Sequence, residues 1–150
     1  MKVVIQRVSR ASVTIEGKVK SEIKTGYLIL LGVGLEDNQE QIDWLCRKII
    51  QLRIFSDVDG KMNQSILDVE GDIIVVSQFT LHASTKKGNR PSYLKAARPE
   101  QAIPLYEKFV AELSQQLGKE VGTGEFGADM KVDLLNDGPV TIIIDSFDRQ

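Results

Sequence analysis

The stretch YLILLGV, residues 27–33, carries no charge, and this constrains the fold more than any other feature of the chain. Seven apolar residues are too few for a typical helix and suit a strand buried on both faces. Such a strand cannot lie at a surface. It needs neighbours within its sheet and a covering layer on either side. A second run, Asp72 to Phe79, begins in the same way with Ile73 to Val76 and then turns polar, in the order Ser77, Gln78, Thr80, His82. Polar side chains ending a core strand need hydrogen-bond partners or a substrate.

Other segments supply the layers. Val3 to Val8 alternates, and Ser12 to Ile15 runs into a turn at Glu16-Gly17-Lys18, with a return strand over Val19 to Ile23. Asp37 or Asn38 caps a helix whose stripe is Ile42, Leu45, Cys46, Ile49 and Ile50. Trp44 falls off that stripe and is expected at an edge or an interface. Ile54-Phe55 reads as a short strand, Asp57 to Gly60 as a turn, and residues 84–93 as a loop. A second helix is predicted from Pro99 to Leu117, ended by Gly118, with Ile103, Tyr106, Phe109, Val110 and Leu113 inward. Pro104 is expected to kink it or delay its start. Two last strands, Met130 to Leu135 and Val140 to Ile144, are joined by a turn at Asn136-Asp137-Gly138-Pro139. Strands outnumber helices and the helices are separate. The reading is one α+β domain over residues 1–150, an antiparallel barrel-like sheet with two main helices packed outside.

Composition narrows the chemistry. The 150 residues include one cysteine and one histidine, too few for the usual zinc constellations, and no acidic cluster suggests a magnesium site. No metal or cofactor is expected. Cys46, on an apolar stripe, is read as a core thiol. The net charge of −2 gives no general attraction to nucleic acid. Any RNA contact must rest on a local patch, and Lys86, Lys87 and Arg90, followed by Lys95 and Arg98, form the best candidate. No apolar run reaches the roughly 20 residues that span a bilayer. The first ten residues are too broken by charge for a signal peptide. A cytoplasmic protein with no membrane partner is expected.

Two catalytic readings attach to the polar strand end. If the strand continues, Gln78, Thr80 and His82 share one face and Ser77, Phe79 and Leu81 the other. That invites Thr80 as a nucleophile and His82 as its base. Alternatively the strand stops, and amide N–H groups that lose their ladder partners form an oxyanion hole. Gly138-Pro139 is the other unusual element. A proline directly after a hairpin glycine cannot donate to a ladder, so it belongs at a strand's first residue or on a sheet edge. Most X–Pro bonds are trans.

Seven stretches in order carry a family resemblance. They are Val4 to Val8, Leu52-Arg53-Ile54-Phe55, Gly60 to Asn63, Ser77 to Leu81, Lys87 to Ser92, Gly124 to Met130 and Asn136 to Thr141. Along nearly its whole length the chain resembles the D-aminoacyl-tRNA deacylases. That resemblance implies a homodimer with its active site at the subunit interface and the 3′ acceptor end of aminoacylated tRNA as partner. It implies hydrolysis of the ester joining a D-amino acid, or mischarged glycine, to tRNA. Ser77, Gln78, Phe79 and Thr80 would form the catalytic floor. A cis Gly138-Pro139 from the other subunit would reject L-residues, with Arg7 holding that dipeptide in place. Met130 and Phe126 would complete the substrate contacts, and Lys86, Lys87 and Arg90 would contact RNA. His82 stands where relatives often carry an aromatic or small residue, so it is not assigned as a general base. Thr80 would act through its hydroxyl or only through its backbone N–H. A dimeric RNA-binding module without catalysis is the alternative reading, and a general small-ester hydrolase is a third.

Overall fold

The computed structural model describes residues 1–149. Eight strands and two main helices follow in the order β1 (Lys2–Ile15), β2 (Lys18–Ile23), β3 (Gly26–Gly32), α1 (Gln39–Gln51), β4 (Phe55–Ser56), β5 (Met62–Gln64), β6 (Asp72–Ser77), α2 (Pro99–Leu117), β7 (Gly122–Thr123) and β8 (Lys131–Asp145). Between β6 and α2 lies a single 3₁₀ turn over Phe79–His82.

The main sheet runs β2-β1-β3-β6-β7, and β8 lies along the other edge of β1. β3 takes the centre because it has no polar face to expose. Its partner on one side is β1, antiparallel, with Ile5 opposite Ile29. On the other side β6 is parallel, with Ile29 opposite Val75. β6 and β7 are parallel as well. The sheet is therefore mixed, which corrects the antiparallel expectation. The connection from β3 to β6 passes through α1, as a parallel crossover requires. The two ends of the sheet nearly meet. Ser21 in β2 donates through Oγ to the Thr123 carbonyl of β7 at 2.5 Å and accepts from the Thr123 N–H at 3.0 Å. One side chain thus substitutes for ladder bonds where the barrel-like sheet closes.

Side-chain alternation sorts the core into two parts. Val8, Val13, Leu28, Ile74 and Val76 fill the inside of the curled sheet. Ile5, Tyr27, Ile29, Leu31 and Val75 face outward and are covered by the helices through Ile42, Leu45, Ile49, Phe109 and Leu113. Both layers are needed, since β3 sends Tyr27, Ile29 and Leu31 to one and Leu28 and Leu30 to the other. Cys46 is buried between the helices, its thiol facing the Phe109 carbonyl, and burial pushes its pKa up.

The helix ends follow local chemistry. Asn38 is the N-cap of α1: its Oδ1 accepts from Glu40 N–H at 2.9 Å while Gln41 Oε1 accepts from Asn38 N–H at 3.0 Å. Asp37, the other candidate cap, is used elsewhere. It is buried, accepts from Gly34 N–H at 2.6 Å, and pairs with the equally buried α-ammonium of Met1, which also donates to Ser146 Oγ at 2.7 Å. Helix α2 starts at Pro99 and ends at Gly118, whose φ of 82° is the left-handed cap that glycine adopts freely. Pro104 lies within α2, exposed, and does not delay its start. Ala102 and Leu117 join the buried stripe, whereas Ile103 and Val110 are only half-buried. Trp44 packs beneath the Arg149 guanidinium, 4.6 Å from the ring centroid, and near Lys48.

Two expected elements change form. The segment around Asn136-Asp137-Gly138-Pro139 is no hairpin. β8 runs through it as one strand, pairing β1 before and after. Gln6 faces Thr141 and Val8 faces Asn136, so two steps along β1 correspond to five along β8, and three extra residues bulge out. Continuous pairing with the 14-residue β1 overrides the local turn signal. Likewise β1 is unbroken from Lys2 to Ile15, where alternation alone suggested two pieces.

Candidate active site

The strand β6 stops at Ser77, two residues before the sequence pattern suggested. Gln78 N–H still bonds the Leu31 carbonyl at 2.8 Å, the last rung to β3. The chain then coils into the Phe79–His82 turn. Gln78, Thr80 and His82 therefore do not share a strand face, which overturns the arrangement that made His82 a base for Thr80. Gln78 and Thr80 still meet, because the turn brings Gln78 Nε2 onto Thr80 Oγ1 as a hydrogen-bond donor. His82 is directed toward Gly32 and Gly34. Its Nε2 is buried with no hydrogen-bond partner among the described residues.

A helical turn leaves its first amides without acceptors inside the turn. Here those are the N–H groups of Phe79 and Thr80, and the preceding Gln78 side chain does not cap them. Phe79 lines a cleft of about 330 Å³, and Thr80, the next residue of the turn, is not among its lining residues. Leu31 and Val76, then Ser77, Gln78 and Phe79, line it from the ends of β3 and β6, and Phe126 to Met130 line it from the segment before β8. The structure thus brings together Ser77, Gln78, Phe79, Phe126 and Met130. Gly124 makes room for Met130: a Cβ there would collide with the Met130 sulfur.

Tyr106, in α2, also lines the cleft. Its hydroxyl donates to the Val75 carbonyl at 2.8 Å, and burial pushes its pKa up to about 12. The sequence reading placed Tyr106 only in the core. Its one signal was a hydroxyl on an otherwise apolar stripe, which must find a polar partner. Asp129 is the other titratable side chain on the cleft wall, and it is exposed and paired with Lys131 at 3.1 Å. Neither group is a base poised beside Thr80. No three His, Cys, Asp or Glu side chains converge as a metal site among the described residues.

Gly138, Pro139 and Arg7 do not line this cleft. The Gly138–Pro139 peptide is cis, and both residues are exposed in the bulge of β8. Arg7 is buried beneath them. Its Nε donates to the Asp137 carbonyl at 2.8 Å and an Nη to the Ile54 carbonyl at 2.6 Å. A Cβ at Gly138 would lie 2.8 Å from the other Arg7 Nη, so glycine lets the guanidinium come this close. Asn136 fixes the other end: its Oδ1 accepts from Val140 N–H at 2.9 Å. The dipeptide is thus held firmly and presented outward. Lys86, Lys87 and Arg90 are exposed on the loop closed by the Ser84–Ser92 bridge.

A curled mixed sheet under two helices, with a cleft where β6 ends in a helical turn, defines a barrel-like domain with a candidate site at that strand end. The comparisons agree on its family. The family model for D-Tyr-tRNA(Tyr) deacylase matches residues 4–145, and the chain belongs to that family of hydrolases. It is 65% identical to the D-aminoacyl-tRNA deacylase of Bacteroides thetaiotaomicron and 67% identical to that of Bacteroides fragilis, each over the full length of both chains. A solved structure of a c-Myc DNA unwinding element binding protein superposes with a TM-score of 0.92 at 44% identity, covering 97% of this chain and 98% of that one. A probable eukaryotic D-amino acid tRNA deacylase shares the fold alone, with a TM-score of 0.83 at 15% identity, covering 95% of this chain and 97% of the other. Among the described residues no helix is long and apolar enough to cross a membrane.

Proposed function

We propose that the protein hydrolyses the ester of D-aminoacyl-tRNA, releasing the free D-amino acid and tRNA, at a site that two copies of the chain complete together. The observation that carries this reading is the division of parts. Ser77, Gln78 and Phe79 line the cleft, with Thr80 following in the same turn, while Gly138 and Pro139 stand exposed outside it on β8. Among the described residues β8 pairs with no strand other than β1. It also exposes Val132, Leu135 and Ile143, the last 73% accessible. A 15-residue edge strand with apolar side chains is an invitation to association. A second copy docked there would carry its Gly138-Pro139 toward its neighbour's cleft.

In the completed site the ester carbonyl oxygen rests on the Phe79 and Thr80 N–H groups, which stabilise the negative charge of the tetrahedral intermediate. Backbone carbonyls receive the α-ammonium, because they accept whatever the pH. The attacking group is water, assisted by the 2′-hydroxyl of the terminal ribose. The Thr80 hydroxyl already accepts from Gln78 and has no adjacent base, which supports a backbone role for Thr80. Phe126 and Met130 flank the substrate, and Lys86, Lys87 and Arg90 face the RNA phosphates. The Gly138-Pro139 main chain fills the volume an L side chain would need, whereas a D side chain projects away from it. Glycine has no side chain to reject and is cleaved as well.

The test is hydrolysis of D- and L-tyrosyl-tRNA by the purified protein. Release of D-tyrosine with L-tyrosyl-tRNA left largely intact is expected, and equal rates on the two would refute the reading. Thr80→Ala separates the two routes. A modest fall in kcat supports the amide mechanism, and near-complete loss supports the hydroxyl as nucleophile.

A further inference from the structure

The basic segment after the catalytic turn differs from the rest of the chain. Residues 79–99 contain Lys86, Lys87, Arg90, Lys95 and Arg98 and no carboxylate, in a chain of net charge −2. Within this segment three large apolar side chains stay in the open. Phe79 is 53% exposed, Tyr93 37% and Leu94 86%. Phe79 and Tyr93 meet edge to face with ring centroids 5.0 Å apart. Their positions are fixed by the backbone. Ser84 and Ser92 exchange two hydrogen bonds of 2.8 and 2.9 Å, and Ala96 N–H closes a turn onto the Tyr93 carbonyl at 3.0 Å. The Lys95 carbonyl and Ala97 N–H are then tied to Leu35 and Val33, at the end of β3.

We infer that Tyr93 and Leu94 form a stacking platform for the unpaired nucleotides that precede the aminoacylated terminal nucleoside. This rests on the deacylase reading above and extends it. Phe79 lines the cleft and its ring meets Tyr93, with the exposed Leu94 next in the chain, so a strand leaving the cleft over Phe79 reaches this pair of side chains. Every base has an apolar face, so an aromatic and an aliphatic surface hold it without reading its identity. The cations of the adjoining loop then lie beside a phosphate backbone. Five positive charges without a carboxylate select a polyanion over an apolar protein partner. The platform touches nothing at the ester, so it contributes to capture of the substrate and leaves the chemical step alone.

The experiment compares two substrates, D-tyrosyl-tRNA and the 3′-ester of D-tyrosine with adenosine, which lacks the preceding nucleotides. Leu94→Ala and Tyr93→Ala are each expected to lower kcat/KM on the tRNA by about tenfold or more through KM, with kcat held. Both variants are expected to cleave the adenosine ester at the wild-type rate, and Tyr93→Phe is expected to retain wild-type behaviour on both. Equal losses on tRNA and adenosine ester would mean that the residues act only by supporting Phe79, and would overturn the platform. Unchanged rates on tRNA would overturn it also. Wild-type protein that cleaves neither substrate would overturn the deacylase reading and the platform with it, an outcome distinct from failure of the platform alone.

Discussion

Replacing Arg7 by alanine should destabilise the fold and loosen the β8 bulge at once. Arg7 is 8% exposed, and its guanidinium spans two carbonyls from distant segments, Ile54 after α1 and Asp137 in the bulge. A hydrogen bond to a charged donor contributes about 1.5–3 kcal/mol. Asp137 is exposed, so its carbonyl can recover water, whereas Ile54 is buried and loses its donor outright. Removing the charge also relieves the cost of burying it, which offsets part of the loss. The net destabilisation is about 2–4 kcal/mol, or roughly 5–15 °C in Tm for a domain of this size. Arg7→Lys keeps the charge, but one ammonium cannot span both carbonyls, so it should fall between the two. Urea unfolding gives the free energy and the slope that reports whether the folded state has changed. On the proposed reading, hydrolysis of L-tyrosyl-tRNA by the surviving folded fraction reports whether Gly138-Pro139 still excludes that substrate. Arg7→Ala that unfolds at the wild-type midpoint and still rejects the L-substrate would refute the reasoning.

Three further outcomes are expected. Gly26→Ala places a methyl group on the Asp72 carbonyl at the first rung between β3 and β6, backbone against backbone, so the variant should lose more than about 3 kcal/mol in chemical denaturation. Burial lowers the pKa of the Met1 α-ammonium below its usual 8.0 despite its bond to Asp37. Between that lowered value and 8.0 the unfolded chain binds more protons, so stability should rise with pH across this window. Asp37→Asn, which removes the partner that holds the pKa up, should steepen that rise in Tm-against-pH curves. Raising salt from about 50 to 200 mM should weaken tRNA capture, and Lys86→Gln combined with Lys87→Gln should flatten the dependence by about two phosphate contacts.

How far the chain could be read in advance differs by element. The capped helix α1, the helix between Pro99 and Gly118, and the buried β3 follow from strong local signals: a cap, a left-handed glycine, a seven-residue apolar run. The direction in which β6 pairs with β3 has no such signal, since a strand buried on both faces looks alike in either orientation. The bulge at Asn136 to Pro139 misled for a related reason. Asp-Gly predicts a hairpin locally, but the ladder on both sides of it belongs to the distant β1. The polar strand end at Ser77 to Thr80 stood out because polar groups ending a core strand demand partners, and Ser77, Gln78 and Phe79 do line the cleft. That His82 would turn away from Thr80 was not, because it depends on the strand stopping at Ser77. Tyr106 escaped because a buried tyrosine hydroxyl and a core aromatic leave the same periodicity. The exposure of Gly138 and Pro139 can be seen only once β8 is placed.

The claim that one copy supplies the wall for its neighbour's cleft is tested most directly by mixing two defective proteins. Phe79→Pro removes a floor amide at a turn position that tolerates proline, and should lose about 10²–10³ in rate. Pro139→Gly removes the bulk of the wall and should admit L-tyrosyl-tRNA. When the two are refolded together in equal amounts, random pairing gives about half of the intact floors an intact partner wall. The measurement is the rate of L-tyrosyl-tRNA hydrolysis by a fixed amount of Pro139→Gly as Phe79→Pro is added. A fall to about half at equal amounts, and further with excess, is the predicted result. A rate on the L-substrate that stays constant however much of the floor-defective protein is present would contradict the account.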